Sequence, residues 1–439
     1  MSVSSAPRMP LLPLDEALAR LLAQANPLQQ TESVATLDAD GRVLAHDVVS
    51  ALHVPPQDNS AMDGYAVHTA DVLTMGTALP VAQRIAAGTV GQPLARGTAA
   101  RIFTGAPIPA GADAVVMQEH CTVVGEAGSS GNSGAVTQVQ INIPPSLGQH
   151  IRRAGEDVAR GDVVLARGCR LGPAALGLAA SVGMARLSVV RRPRVALFST
   201  GDELVMPGAV APQDMPPGGI YNSNRFFLAA MLRRMGCEVT DLGIVPDRLD
   251  ATLEALRQAA ATHDVILTSG GVSVGEEDHI KPAVQALGAL DLWYIAIKPG
   301  KPFAYGSITR PTNAHAGAAQ AGAPNGTCHF LGLPGNPVAS FVTFCVLVRP
   351  FLLRLQGVDD VAIKPIAARA DFALPKPDKR REFLRVRRTA TGDVALFANQ
   401  GSGVLTSAVW GDGLVDNPVG TAIAVGDTVQ FLPFSELLG

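Results

Sequence analysis

The chain has 439 residues, 47% hydrophobic and 17% charged, which fits a globular protein too long for one ordinary core; three or four domains are expected. Lys plus Arg number 35 against 38 Asp plus Glu, a formal net charge of −3, which excludes a global basic field for nucleic acid. Aromatics at 5% are too scarce for stacking on single strands, no apolar run reaches the length of a membrane span, and the five scattered cysteines (121, 169, 237, 328, 345) form no CxxC pair for zinc or a disulfide framework.

Along the chain, residues 11–25 place Leu11, Leu14, Leu18, Leu21 and Leu22 at helical spacing, with Asp15 and Glu16 near the start, where acids suit the helix dipole. From about 36 to 190, short β-type runs (VLAHDVV, YAVHTA, AVVMQEH, VTQVQINI) broken by Gly and Pro predict compact β modules. GEAGSSGNSG at 125–134 reads as a flexible hairpin tip. At about 191 the pattern becomes β-α-β. RVALFST, EVTDLGI, VILTSGG, LWYIAI and HFLGL read as strands; 222–235, 248–262, a stretch ending near 288, and 337–355 read as helices. Such alternation predicts a mostly parallel sheet with right-handed crossovers. The Ala/Gly-rich stretch 311–327 reads as a mobile insertion, and the β segments after about 356 as a small barrel or sandwich. With no apolar leader at the N-terminus, a cytoplasmic location is expected.

Several turns after these strands carry chemistry. VILTSGGVSVGEEDHIK (265–281) combines a buried-type strand, a Gly-rich turn and acids. Backbone N–H groups there, with Ser273 and Asp278, suit a phosphate and a divalent metal together. TGDEL (200–204) offers Thr200, Gly201, Asp202 and Glu203, and VPD (245–247) offers Asp247. Each alone is equally well a strand-end turn or helix cap, but acids recurring at the ends of strands of one sheet can converge. In YNSN (221–224), Asn222 or Ser223 suits a helix N-cap. KPGKP (298–302) sets Lys298 and Lys301 three apart in a turn stiffened by two prolines, a fit for an oxyanion or simply a surface turn. LPGNP (333–337) reads as a turn into a helix with Pro337 at its first position. Earlier, NSAMDGYAV carries Asp63, RIFTGAPIPAGADAVV carries Thr104, and RRAGEDV carries Glu156 and Asp157, each a turn by default.

Together NSAMDGYAV, RIFTGAPIPAGADAVV, RRAGEDV, FSTGDEL, YNSN, GGVSVGEED, KPGKPFAYG, LPGNP and RREF, in this order over residues 10–435, resemble the molybdopterin molybdenumtransferase family, whose eukaryotic relatives include domains of gephyrin. The resemblance implies a multidomain α/β plus β fold: an elongated N-terminal module (10–50 and 144–190), an inserted β-rich module (51–143), a three-layer α/β molybdopterin-binding module (191–355) and a C-terminal β-barrel (356–439). It implies a homodimer whose cleft lies between subunits, and a reaction that inserts molybdenum from molybdate into adenylylated molybdopterin with loss of AMP. Magnesium is the implied cofactor, and a molybdopterin adenylyltransferase the implied partner.

By the same resemblance Asp63, Thr104, Asp157, Glu203, Asp247 and Asp278 are catalytic, with Glu203, Asp247 and Asp278 on magnesium. Thr200, Gly201, Asn222, Ser223, Gly270, Gly271, Ser273, Gly275, Pro334 and Gly335 hold the pterin nucleotide. Lys298, Lys301, Pro302, Ser340, Arg380 and Ser402 face molybdate. The family often has Ser directly after the valine of LPGNPV; here Ala339 stands there and Ser340 follows. Two rivals are an ATP-dependent adenylyltransferase, opposed by the extra modules, and a non-catalytic scaffold, opposed by the retained Asp, Glu and Lys set.

Overall fold

The computed structural model describes residues 11–124, 137–272, 279–310 and 326–438. The chain divides into two compact units: Met1–His46, Arg167–Gly172 and Leu187–Gly439 form the larger, Asp47–Ala166 and Pro173–Arg186 the smaller.

The smaller unit is built on a six-stranded sheet. Its order runs Ala114–Met117, Gly64–Val67, Ala99–Ile102, Thr77–Ile85, Gln138–Ile141, Cys121–Val124. Alternation along the strands gives it two apolar faces: Tyr65, Val67 and Val116 join one buried cluster, while Ala66, Val115 and Ile102 join another. The Gly64–Val67, Ala114–Met117 and Gln138–Ile141 strands match the expected runs. The Thr77–Ile85 and Ala99–Ile102 strands do not: Pro80 interrupts one and alanine begins the other, neither a typical strand signal. The expected hairpin tip at 125–134 lies outside the described residues.

In the larger unit, strands β1 (Arg194–Thr200), β2 (Glu238–Val245), β3 (Val265–Ser269), β4 (Gly288–Tyr294), β5 (Pro302–Thr309) and β6 (Thr327–Leu333) form one sheet in the order β2-β1-β3-β6-β5-β4. The β1/β2, β1/β3 and β3/β6 pairings are parallel; β5/β6 and β4/β5 are antiparallel. The sheet is therefore mixed, with three parallel pairings, as expected, and two antiparallel ones through β5 and β4. Strand β5 escaped the sequence because PFAYGSIT is buried on both faces and shows no alternation. Most of the expected 311–327 insertion, between β5 and β6, lies outside the described residues.

Helices α1 (Leu14–Leu22), α2 (Asn224–Arg234), α3 (Leu249–Thr262), α4 (Ile280–Leu287) and α5 (Pro337–Leu355) cover the sheet. The first is shorter than the expected 11–25: it starts after Pro13, and Leu12 instead bridges Ile295. Helix α5 is apolar all round and long enough to cross a bilayer, but 94% of its most apolar window is buried, as a core helix requires. Its ladder widens to a π turn over Phe344–Val348, just before Pro350, which has no N–H to donate.

The last segment forms a second mixed sheet, in the order Ile297–Lys298, Arg381–Arg388, Gly413–Asn417, Thr428–Pro433, Ile366–Arg369, with Val394–Leu396 also on Arg381–Arg388. A bridge between Ala370 and Val394 links the two ends of this path, so the pairing returns on itself as in a small barrel. Alternate residues again serve two cores: Leu384, Val386 and Val415 fill this sheet, while Phe383, Leu414 and Leu432 join the core of helix α5.

One buried titratable group gives a testable pH response. His329 on β6 contacts the Tyr305 hydroxyl at 3.0 Å and the Phe351 ring at 5.1 Å. Burial pushes its pKa down to about 4 from the ordinary 6.5. The folded state therefore favours neutral imidazole. Its contribution is complete above pH 6.5 and is lost as pH falls toward 4, by about 3 kcal/mol. Urea titrations at pH 7 and 4.5 should show this slope in the wild type and a shallower one in His329→Gln.

Candidate active site

The carboxyl ends of β1, β2, β3 and β6 open into one cleft of about 800 Å³. Ligands collect at this edge of such sheets, where strand ends leave backbone donors unused. Thr200 and Gly201 follow β1, Asp247 follows β2, Gly270 and Gly271 follow β3, and Pro334 and Gly335 follow β6; all line the cleft. Gly270 and Gly271 take φ of +95° and +67°. A Cβ on Gly270 would stand 2.9 Å from the Thr200 carbonyl oxygen, and one on Gly271 would stand 2.5 Å from Ile280 Cγ1. The turn is thus closed to side chains and open to a ligand.

Helix α2 locks the two turns together. Asn224 Nδ2 donates to Ser269 Oγ and to the Gly335 carbonyl, each at 2.7 Å. Ser223 occupies the N-cap position without a capping bond; Asn222 Oδ1 accepts from Arg225 N instead, at 3.3 Å. Asn222 Nδ2 and Asn224 Oδ1 are buried without a partner among the described residues, and both side chains line the cleft. Buried polar atoms are nearly always satisfied, so this donor and acceptor mark a place for a polar ligand. Asn224 was not singled out from the sequence, although it stands in the same YNSN string.

The opposite wall carries cations. Lys298, Lys301, Pro302, Arg380 and Ser402 all line the cleft. Lys298 and Ile297 pair in parallel with Glu382 and Arg381, which fixes the KPGKP turn to the last sheet. Lys298 Nζ stands 3.0 Å from Glu382 Oε1 and 3.3 Å from Asp378 Oδ2. The Glu382 hydrogen bond, then Asp378, raises its pKa. Arg380 grips Asp378 with Nε and Nη2, each at 3.0 Å, and holds that carboxyl well below the usual range, with help from Lys298. Lys301 Nζ lies 4.9 Å from the Tyr294 ring centroid and has no carboxylate partner among the described residues. Asp378 and Glu382 were missed in the sequence because KPDKRREF looks like a solvated charge run.

Behind this wall, the Ser402 carbonyl accepts from Val338 N at 2.9 Å and so caps α5. Arg385, fully buried, donates to the Gly401 carbonyl at 3.2 Å, and burial pushes its pKa down to about 10. Ser340 is a correction. It is fully buried, its hydroxyl donates to the Pro334 carbonyl, and it does not line the cleft; Ala339 does. One residue along a helix turns a side chain by about 100°, here from cleft to core.

The acids divide. Glu203 and Asp247 line the cleft, whereas exposed Asp202 does not. Ser273, Gly275 and Asp278 lie outside the described residues. Among the described residues no group of three or more His, Cys, Asp or Glu could hold a metal ion by itself. In the smaller unit, Thr104 N and Oγ1 both donate to Asp63 Oδ1 at 2.8 Å, which lowers the pKa of that exposed carboxyl. Asp157 is exposed, with its N–H bonded to the Val54 carbonyl at 3.0 Å.

Three family descriptions match successive parts of the chain: the MoeA N-terminal region (domain I and II) over residues 12–183, a probable molybdopterin binding domain over 196–354, and the MoeA C-terminal region (domain IV) over 367–434. A molybdopterin molybdenumtransferase from Haemophilus influenzae is 38% identical over 437 residues, covering 98% of this chain and 100% of the relative. A molybdopterin molybdenumtransferase 2 from Mycobacterium tuberculosis is 36% identical over 416 residues, covering 91% and 94%. The crystal structure of a molybdopterin biosynthesis moeA protein from Pyrococcus horikoshii OT3 matches with a TM-score of 0.79 and 27% identity, over 97% of this chain and 100% of that one.

Proposed function

Because the chain belongs to the molybdopterin molybdenumtransferase family, and so to molybdenum cofactor biosynthesis, we propose that it inserts molybdenum from molybdate into adenylylated molybdopterin and releases AMP. One observation carries the proposal: a glycine cradle suited to phosphate and a cationic wall suited to a tetrahedral oxyanion face the same cleft. Either alone fits many proteins; a reaction that brings a pyrophosphate and molybdate together needs both.

In this mechanism the N–H groups of the Gly270–Gly271 turn hold the pyrophosphate, and the orphaned amide atoms of Asn222 and Asn224 read polar edges of the pterin nucleotide. Thr200, Gly201, Ser223, Pro334 and Gly335 shape the same pocket. Lys301, Arg380 and Ser402, with Lys298 and Pro302, hold molybdate beside the dithiolene. Fixing both reactants in one site replaces a two-body encounter by a positioned one. The donor set is all oxygen, as magnesium prefers, with carboxylates alongside phosphate oxygens and water. Glu203 and Asp247, with Asp278, would hold it, and when bound it draws charge from the phosphorus as the pyrophosphate is hydrolysed.

We also propose a homodimer acting in the cytoplasm, roles for Asp63, Thr104 and Asp157, and the four-module division. An adenylyltransferase supplying the intermediate belongs to the same proposal.

The test is to load the protein with adenylylated molybdopterin, add molybdate and follow AMP by chromatography. Release that depends on molybdate and consumes no ATP is expected. In Lys301→Ala, loss of one charge contact to a dianion should raise the molybdate concentration for half-maximal release at least about tenfold. Release independent of molybdate overturns the proposal.

A further inference from the structure

Three cations face the cleft on its anion side, yet two of them are already engaged. Lys298 and Arg380 share Asp378: its Oδ2 lies 3.3 Å from Lys298 Nζ and 3.0 Å from Arg380 Nη2, and its Oδ1 lies 3.0 Å from Arg380 Nε. The second carboxylate, Glu382, is buried and bonded to Lys298 at 3.0 Å and to the Asp378 N–H at 3.3 Å. Glu382 therefore belongs to the scaffold of the wall. Asp378 is different. Its side chain keeps 21% of its exposure and bridges the two cations, both of which line the cleft, without lining the cleft itself.

We propose that Asp378 is an affinity-setting residue: a resident counter-anion that weakens the hold of Lys298 and Arg380 on any tetrahedral dianion. The inference rests on the reading of this wall as an oxyanion site. With both carboxylates ionised, the corner carries a net charge of +1 against a dianion of −2. Without Asp378 it carries +2 and matches the dianion. One unit charge acting on a dianion across about 6 Å changes affinity by about tenfold even at the dielectric constant of water. A site that gripped molybdate at full strength would bind the reactant as tightly as the transition state and gain no rate from it. It would also fill with sulfate, which has the same charge and shape. Asp378 lowers the ground-state grip on both, while leaving Lys301, which has no carboxylate partner among the described residues, to make contact.

Isothermal titration calorimetry of the full chain with molybdate and, separately, with sulfate tests this. In Asp378→Asn, which keeps the side chain's size, removes the charge and replaces one of the two accepting oxygens by an N–H donor, Kd for both anions should fall about tenfold, and AMP release at saturating molybdate should slow. Asp378→Glu should stay within about threefold of the wild type, since the charge is kept. Unchanged or weaker anion binding in Asp378→Asn overturns the proposal and leaves Asp378 as a strut that merely orients Arg380. Lys301→Ala separates the two levels. If the wild type binds neither anion, or Lys301→Ala binds as the wild type does, the oxyanion reading of the wall fails and this inference falls with it. If Lys301→Ala loses affinity and Asp378→Asn does not gain it, only the counter-anion role is lost.

Discussion

Gly271→Val should lose both stability and nucleotide binding. The backbone at 271 sits at φ +67°, where an L-residue costs about 1–2 kcal/mol. Its Cβ would stand 2.5 Å from Ile280 Cγ1 and 3.0 Å from Thr200 Oγ1, so the first turn of α4 or the end of β1 must move. Overpacking of that kind costs about 1–3 kcal/mol more. Thermal unfolding should therefore begin on the order of 10 °C earlier, given the few degrees per kcal/mol of a domain this size. The altered turn can no longer present its N–H groups, so affinity for AMP should drop about a hundredfold. Gly335→Ala is the control for packing alone: a Cβ there meets nothing nearer than Gly270 Cα at 3.9 Å, and the melting temperature should hold. If Gly271→Val melted and bound AMP like the wild type, the cradle would not be where phosphate sits.

Asp278→Asn should abolish turnover without unfolding the chain. The change keeps the size of the side chain and removes one negative charge. With Glu203 and Asp247 alone, magnesium would lose its third acid and the pyrophosphate its polarising ion. Losses of one electrostatic contributor to a charged transition state reach about 10²–10³-fold. Molybdate-dependent AMP release should fall by that factor, with an unchanged melting temperature and a higher magnesium requirement. Normal release at ordinary magnesium would dismiss the metal assignment.

Much of this was legible in the chain because strand ends and glycine turns write themselves in residue type. VILTSGG, RVALFST and HFLGL are apolar because both sheet faces are covered, and the glycines that end the first and follow the second mark positive φ and close approach. The alternation of strands and helices foretold parallel neighbours, not the order of the strands. What stayed hidden depended on partners distant in sequence. Strand β5 has no pattern of its own and exists because β6 and β4 flank it. Glu382 became part of the wall only through its pairing with Lys298, which no local rule predicts. Ser340 failed for the opposite reason: its residue type suited an anion, but its angular position on α5 faces the core.

The pairing of Ile297–Lys298 with Arg381–Glu382 means that the cleft is lined from two sheets rather than one. The α/β layer supplies the glycine turns by its own strand ends. The cationic wall is shared: Lys301 directly precedes β5 of the α/β sheet, while Arg380 and Ser402 come from the last segment and Lys298 pairs with its sheet. On the proposed reading, this two-residue seam sets the spacing between the two reactants.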